Sequence, residues 1–329
     1  MTTQHPSVLI VDDEAGLRRS LHFGLAQRGF VAEEVEEALP ALRLIDSRFK
    51  EGRPFQFVVA DINLPDINGL KLLEMIKSKY PALPVIVISA YGAEDTGDSV
   101  SVKHGDAYLG KPFRIDELTD LLHQIPEQRV EAVESPGAAV EKASVSAYVM
   151  VTVRADADVS SLFRGLYYMD NVVYCDAVHG QYDVVLLLNG ASAIEIDQAV
   201  RRIEALPGVA GAEPYQIVAP AIEPAIADFI KDYEHNLRRE HYRARLAGTA
   251  MSAYLFVEVE KGRFAEVFPK LYFMNGVVSC DATRGQYGAV ALIQSPTFKG
   301  IEKILNEDVR MIDGIVRARS VKIITMYEM

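Results

Sequence analysis

The sequence predicts an α/β fold at its start, a doubly wound five-stranded parallel sheet, followed by two α+β units of ferredoxin-like βαββαβ order. Three observations carry this. Apolar β-branched runs of strand length alternate with helix-period segments over the first 125 residues, the texture then changes to one rich in Ala, Glu, Ser, Pro and Gly, and the C-terminal half contains one pattern written twice. At 329 residues the chain has room for two or three domains with cores of their own.

The runs at 8–11 (VLIV), 57–60 (FVVA) and 85–88 (VIVI) are apolar throughout, as strands covered on both faces are. Between them, 16–26 and 70–79 carry apolar residues at helical spacing, and a βαβα order argues for an open sheet wrapped by helices. Residues 92–104 (GAEDTGDSVSVKH) stand where a fourth helix belongs, yet two Gly and two Ser lower their helix propensity. Residues 126–145 have the composition of a linker and are too few for another domain.

The repeat then begins. Residues 166–188 (LYYMDNVVYCDAVHGQYDVVLLL) and 271–293 (LYFMNGVVSCDATRGQYGAVALI) agree at 13 of 23 positions, and SAYVMVTV from Ser146 matches SAYLFVEV from Ser252. In the first copy the pattern predicts strands at 147–153, 172–177, 182–188 and 212–218, helices at 160–168 and 194–205, and a hairpin turn at 179–181. This is the βαββαβ unit, whose sheet has one bare face that a second copy can cover. The domain boundaries are then 1–125, a linker at 126–145, copy 1 at 146–220, a connecting helix within 221–250, and copy 2 at 251–329. Ile226, Phe229, Ile230, Tyr233 and Leu237 recur at three and four residues and define that helix as amphipathic. Its Arg238, Arg239, Arg243 and Arg245 interleave with Asp228, Asp232, Glu234 and Glu240, which reads as a solvated face.

Composition excludes several function classes. The net charge is −12, and residues 1–125 hold 13 Lys and Arg against 19 Asp and Glu, half of the surplus, so no basic arm hides in the total and nucleic-acid binding is disfavoured. Two cysteines make no disulfide framework; Cys175 and Cys280 occupy equivalent apolar strand positions and read as buried small residues in a reducing compartment. The seven histidines show no metal-ligand spacing, with His235 and His241 six apart. Tyr167, Tyr168, Tyr272 and Phe273 read as core at helix ends. Carboxylates directly after the first apolar run exclude a signal peptide or membrane span there, and a cytoplasmic location is expected.

The polar residues of the first unit form a constellation. Asp12 and Asp13 follow the first strand, Asp61 ends the third, Ser89 ends the fourth, and Lys111 follows the fifth. In a parallel sheet all of these lie at one edge, where three crowded carboxylates require a cation, and an all-oxygen site suits Mg²⁺. VLIVDDE, VVADINLPDINGL, VIVISAYG and YLGKPF, in this order, resemble the flavodoxin-like receiver domain of two-component response regulators over residues 6–125. The resemblance implies that Asp61 is the phosphoacceptor, served by a histidine kinase. It further implies that Asp12, Asp13, Asp61 and the backbone carbonyl of Asn63 hold Mg²⁺, that Lys111 and Ser89 contact phosphoryl oxygens, and that Tyr108 is the aromatic switch.

VVYCDAVHGQYDVVLLLNG and VVSCDATRGQYGAVALIQS are similar to the ligand-binding and oligomerisation domain of leucine-responsive/AsnC regulators, over about 146–218 and 252–325. Its hallmark is G-x-[YF]-D at the hairpin. The resemblance implies an effector site at Gly180, Tyr182 and Asp183, with Gly285 and Tyr287 in the second copy, where Gly288 replaces the Asp. Members of that family usually carry an N-terminal helix-turn-helix, whose place the receiver-like unit takes here. The combined expectation is a non-enzymatic signalling protein whose output is protein interaction or small-molecule-tuned assembly, including homo-oligomer formation. The alternatives are a phosphorylation-controlled transcriptional regulator of Lrp/AsnC type and a metabolite-sensing binding protein.

Overall fold

Each apolar run of the first unit is a parallel strand, and the sheet they build has the order β2-β1-β3-β4-β5. The computed structural model describes residues 5–89, 106–125, 144–233 and 250–324. The strands are β1 (Ser7–Val11), β2 (Val31–Val35), β3 (Phe57–Asp61), β4 (Val85–Ser89) and β5 (Ala107–Gly110), and the helices are α1 (Ala15–Ala26), α2 (Ala38–Lys50), α3 (Gly69–Lys79) and α4 (Ile115–Gln124). Central β3 and β4 are buried along their whole length, whereas β2, at the sheet edge, reads VAEEV with two exposed positions. The segment 92–104, most of the linker, Leu237, the four interleaved arginines, His235 and His241 lie outside the described residues.

The connecting helix, here α7, spans residues 224–233 as described and starts with Pro224 at the first helical position, where its missing N–H removes no bond. The described residues divide into two compact units, and α7 belongs with the parallel sheet and not with the copies that flank it in sequence. Ile226, Phe229, Ile230 and Tyr233, all on its apolar stripe, are buried. Full burial of such side chains contributes roughly 1.5–3 kcal/mol each before entropy is subtracted.

In the second unit, copy 1 runs β6 (Val145–Val153), α5 (Val159–Tyr167), β7 (Val172–His179), β8 (Val184–Gly190), α6 (Ala193–Glu204) and β9 (Val209–Ile217). Copy 2 repeats it as β10 (Met251–Val259), α8 (Phe264–Tyr272), β11 (Val277–Arg284), β12 (Ala289–Ser295), α9 (Phe298–Lys303) and β13 (Ile315–Ile323). Strand β8 begins two residues later than the apolar pattern predicts. Asp183 precedes it, its amide donating to Val151 O at 3.0 Å and its carboxylate accepting from Val153 N at 2.7 Å beside the bulge between Thr152 and Val153, and Gly288 precedes the matching strand of copy 2 with its amide donating to Val257 O at 2.9 Å.

The two antiparallel sheets close into one eight-stranded barrel, β10-β12-β11-β9-β6-β8-β7-β13. Closure is reciprocal, because β11 pairs with β9 (Thr283 opposite Ile217) and β13 pairs with the equivalent β7 (Lys322 opposite His179). The bare faces meet inside, where Tyr148, Tyr182, Tyr215, Tyr254, Phe256 and Tyr287 belong to one buried cluster. Tyr148 donates to Asp281 Oδ2 at 2.7 Å and Tyr254 to Asp176 Oδ2 at 2.6 Å, the same bond made twice in opposite directions. A separate cluster fills the space between the copy 1 sheet and its helices.

One expectation is corrected. Tyr272 and Phe273 are buried, but Tyr167 and Tyr168 are 56% and 76% exposed. The copy 2 rings continue an aromatic row through Phe264 and Phe268, with centroids 5.1 Å apart and then 6.0 Å to Tyr272. Copy 1 has Val159 at the position of Phe264, and Val159 is itself exposed.

Candidate functional site

Parallel strands aim their carboxyl ends one way, so the residues after β1, β3, β4 and β5 gather at a single edge, near the point where strand order reverses between β1 and β3. Asp12 and Asp13 leave β1 beside Asp61, the last residue of β3. Asp12 and Asp61 are buried, Asp13 is exposed, and carboxylate oxygens of the three lie within 4.8 Å of one another. Lys111 joins them, its Nζ donating to Asp61 Oδ2 at 2.5 Å and to Asp12 Oδ2 at 2.9 Å.

The charge balance of this cluster is unequal, with three carboxylates against one ammonium. Burial pushes the Asp12 carboxyl above the usual carboxylate range even though Lys111 and the Glu14 amide hydrogen-bond to it. Burial by itself would lower Lys111, but its bonds to Asp61 and Asp12 outweigh that and hold the ammonium above the ordinary lysine range. Formal charges leave a surplus near −2 once Lys111 is counted. The clustered side-chain donors are all carboxylate oxygens, and the set therefore fits a hard divalent cation such as Mg²⁺ that keeps several waters.

The loop from β3 to α3 holds the site together. The Asn63 amide donates to Asp61 Oδ1 at 3.2 Å. Asp66 accepts from Ala38 N at 2.8 Å and Leu39 N at 2.7 Å, capping α2, while Asn68 accepts from Leu70 N at 2.9 Å, capping α3. Gly69 N donates to Ile62 O at 2.7 Å, and a Cβ at Gly69 would stand 1.9 Å from the Asp61 carbonyl oxygen, so only glycine fits there. Sequence reasoning did not single out Asp66, Asn68, Gly69 or Arg18, whose Nη1 donates to the Asp12 carbonyl at 2.5 Å. An Asn-Gly just before an apolar helical run is a readable cap signal for two of them; nothing in the sequence marks Arg18.

Ser89, buried, ends β4 next to this group, and its carbonyl accepts from Lys111 N at 2.7 Å. Tyr108 lies on β5 opposite Val87, half-buried. Thus Asp12, Asp13, Asp61 and Lys111 converge, Ser89 and Asn63 adjoin them, and Tyr108 stands three residues back along the Lys111 strand.

The candidate effector residues lie elsewhere. Gly180 and Gly285 have φ of +153° and +135°, and a Cβ on either would press on the last strand of the other copy, at Val321 (2.9 Å) and Tyr215 (3.2 Å). Tyr182 and Tyr287 are buried inside the barrel, Tyr182 donating to Glu213 at 3.0 Å. Asp183 is exposed with its carboxylate on Val153 N. A cavity of about 520 Å³ beside α5, lined by Arg154, Asp158, Ser161 and Gly208 among others, includes none of these candidates.

Two stretches of the chain match known families. Residues 8–123 match the family described as the response regulator receiver domain, and residues 146–217 match the Lrp/AsnC ligand binding domain. Among curated proteins, the chain is 32% identical over 121 residues to the DNA-binding transcriptional regulator NtrC of Proteus hauseri, covering 37% of this chain and 24% of that one. It is 32% identical over 178 residues to the response regulator protein FleR of Pseudomonas aeruginosa, covering 53% and 36%. The chain thus spans only about a quarter to a third of the length of these relatives. Among solved structures, response regulator TrrA of Thermotoga maritima in complex with Mg²⁺ and beryllofluoride is 28% identical, with 36% of this chain and 97% of that one covered and a TM-score of 0.32. NtrX of Brucella abortus, in complex with ADP, is 29% identical, with 37% and 27% covered and a TM-score of 0.33.

Proposed function

We propose that this chain is a phosphorelay response regulator whose Asp61 accepts a phosphoryl group from the phosphohistidine of a histidine kinase. The observation that carries the reading is the Lys111 ammonium held between Asp61 and Asp12, within a group of three carboxylates at one sheet edge. An Asp61 carboxylate oxygen attacks phosphorus, the P–N bond to the donor imidazole breaks, and the imidazole leaves with the bonding pair. Lys111 binds a phosphoryl oxygen and Ser89 donates its hydroxyl to another. Asp12, Asp13, Asp61 and the Asn63 carbonyl would hold Mg²⁺, which when bound supplies positive charge to the oxygens in transfer. Tyr108 follows the movement of Ser89 and carries it to the surface. The chain's own chemistry is then limited to its phosphorylation and dephosphorylation. Acetyl phosphate with Mg²⁺ should label the wild type and leave Asp61→Asn unlabelled; equal labelling overturns the assignment.

For the second unit, the reading is an output by protein interaction or by assembly tuned by a small molecule such as an amino acid, without DNA contact. The match of residues 146–217 to a ligand-binding family and the acidic net charge support it. A thermal-shift screen should find a stabilising metabolite, or light scattering should show a change in mass on addition of beryllofluoride. Failure of both, or retention on DNA that weakens with salt, would overturn it.

A further inference from the structure

Helix α7 lies in sequence between the two copies of the repeat, yet it packs on the receiver domain. Phe229 is fully buried, its ring 6.0 Å from that of Tyr80 at the end of α3 and beneath the Lys79 ammonium at 4.5 Å. Tyr233 donates to Glu74 Oε2 at 3.2 Å and meets Lys71, both on α3, and Glu223 pairs with Arg43 of α2 at 2.5 Å. Charged side chains of both signs line this contact on the receiver domain, Arg43 and Lys71 beside Glu74.

The two helices beneath α7 are also the two tied to Asp61. The loop that begins at Asp61 caps α2 through Asp66 and α3 through Asn68, and Gly69 sets the first turn of α3 against the Asp61 carbonyl with no room for a side chain. A phosphoryl group on Asp61 changes charge and hydrogen bonding at the start of that loop. The chain entering α7 comes from β9 of copy 1, and the chain leaving it continues to β10 of copy 2.

We infer that the α2–α3 face of the receiver domain is its docking surface for α7, and that occupancy of Asp61 is passed to the repeated half of the chain through this contact. The inference rests on Asp61 being the phosphoacceptor. Because linkage is reciprocal, if phosphoryl occupancy alters α7 docking by some factor, α7 docking alters affinity for the phosphoryl mimic by the same factor.

The test uses the full chain with Mg²⁺ and beryllofluoride, with three readouts: bound fluoride by fluorine NMR, amide hydrogen exchange of 224–233, and the beryllofluoride binding midpoint. In the wild type, exchange of those amides should change at least threefold on saturation. In Phe229→Asp they should exchange rapidly with or without the mimic, and its binding midpoint should move at least threefold. Phe229→Trp adds a single tryptophan to a chain that has none, and its emission should shift with saturation, which provides the result if Phe229→Asp fails to fold. Bound beryllofluoride with exchange and emission unchanged overturns the inference and leaves the Asp61 reading standing. No bound fluoride, with wild type and Asp61→Asn alike, overturns the Asp61 reading and this inference with it.

Discussion

Asp46 shows how single groups are tuned in this protein. Burial would raise its carboxyl, but Lys50 at 2.5 Å, Lys79 at 2.8 Å and the Tyr80 hydroxyl at 3.1 Å more than offset that and hold it below the ordinary range. A depressed folded-state pKa means the stabilisation is fully present above the unfolded value near 3.8 and is lost as pH falls through the folded value. Asp46→Asn should therefore cost roughly 2 kcal/mol at neutral pH, from charge-assisted bonds lost by a buried group, and urea unfolding should show the difference from wild type shrinking below about pH 4. Cys175 behaves differently, since burial and then the charge of Asp176 push its thiol up to about 12. Alkylation by iodoacetamide at neutral pH should be slow in the folded protein and fast in denaturant. Cys175 is set by burial, which its place inside an apolar strand suggested, whereas Asp46 is set by partners from α2 and the end of α3 that nothing in the sequence marks.

The elements divide by how local their causes are. Strands β1, β3 and β4 could be read directly because burial on both faces leaves an unbroken apolar run, whereas edge strand β2 carries Glu33 and Glu34 and shows no such signal. The hairpin after β7 has its turn where Gly180 requires it, and β8 and β12 each start one residue after a backbone bond to the first strand of their copy, made by Asp183 in one and Gly288 in the other. Gly69→Ala belongs to this scale. Its Cβ has no space against Asp61, so α3 or the β3–α3 loop must move, and acetyl phosphate labelling should fall at least tenfold while far-UV circular dichroism stays near wild type. The reciprocal Tyr148 and Tyr254 bonds make a second case. Each Tyr→Phe change should cost about 1–3 kcal/mol by removing one hydrogen bond to a carboxylate. With the rings only 6.0 Å apart, the double variant should depart from additivity in thermal melts.

At the scale of the molecule, the repeat is one closed barrel within one chain. Copy 1 produced alone would expose the face that holds Tyr148, Tyr182 and Tyr215, and it should self-associate, with a dimer or larger species in sedimentation; a stable monomer would contradict this packing. By itself the sequence determined the two fold classes, the order of their elements, the duplication and the set Asp12, Asp13, Asp61, Ser89 and Lys111, because periodicity and strand-end position are local properties that every parallel sheet turns into a shared edge. Only the tertiary structure decided that the two bare sheet faces cover each other, that Tyr182 and Tyr287 lie inside that interface, and that α7 joins the receiver domain rather than its sequence neighbours. An amphipathic stripe records that a partner exists, since burying apolar surface is favourable against any apolar surface. Which partner is chosen depends on shape and charge at contacts far apart in the chain, such as Phe229 on Tyr80, and these exist only once the chain has folded.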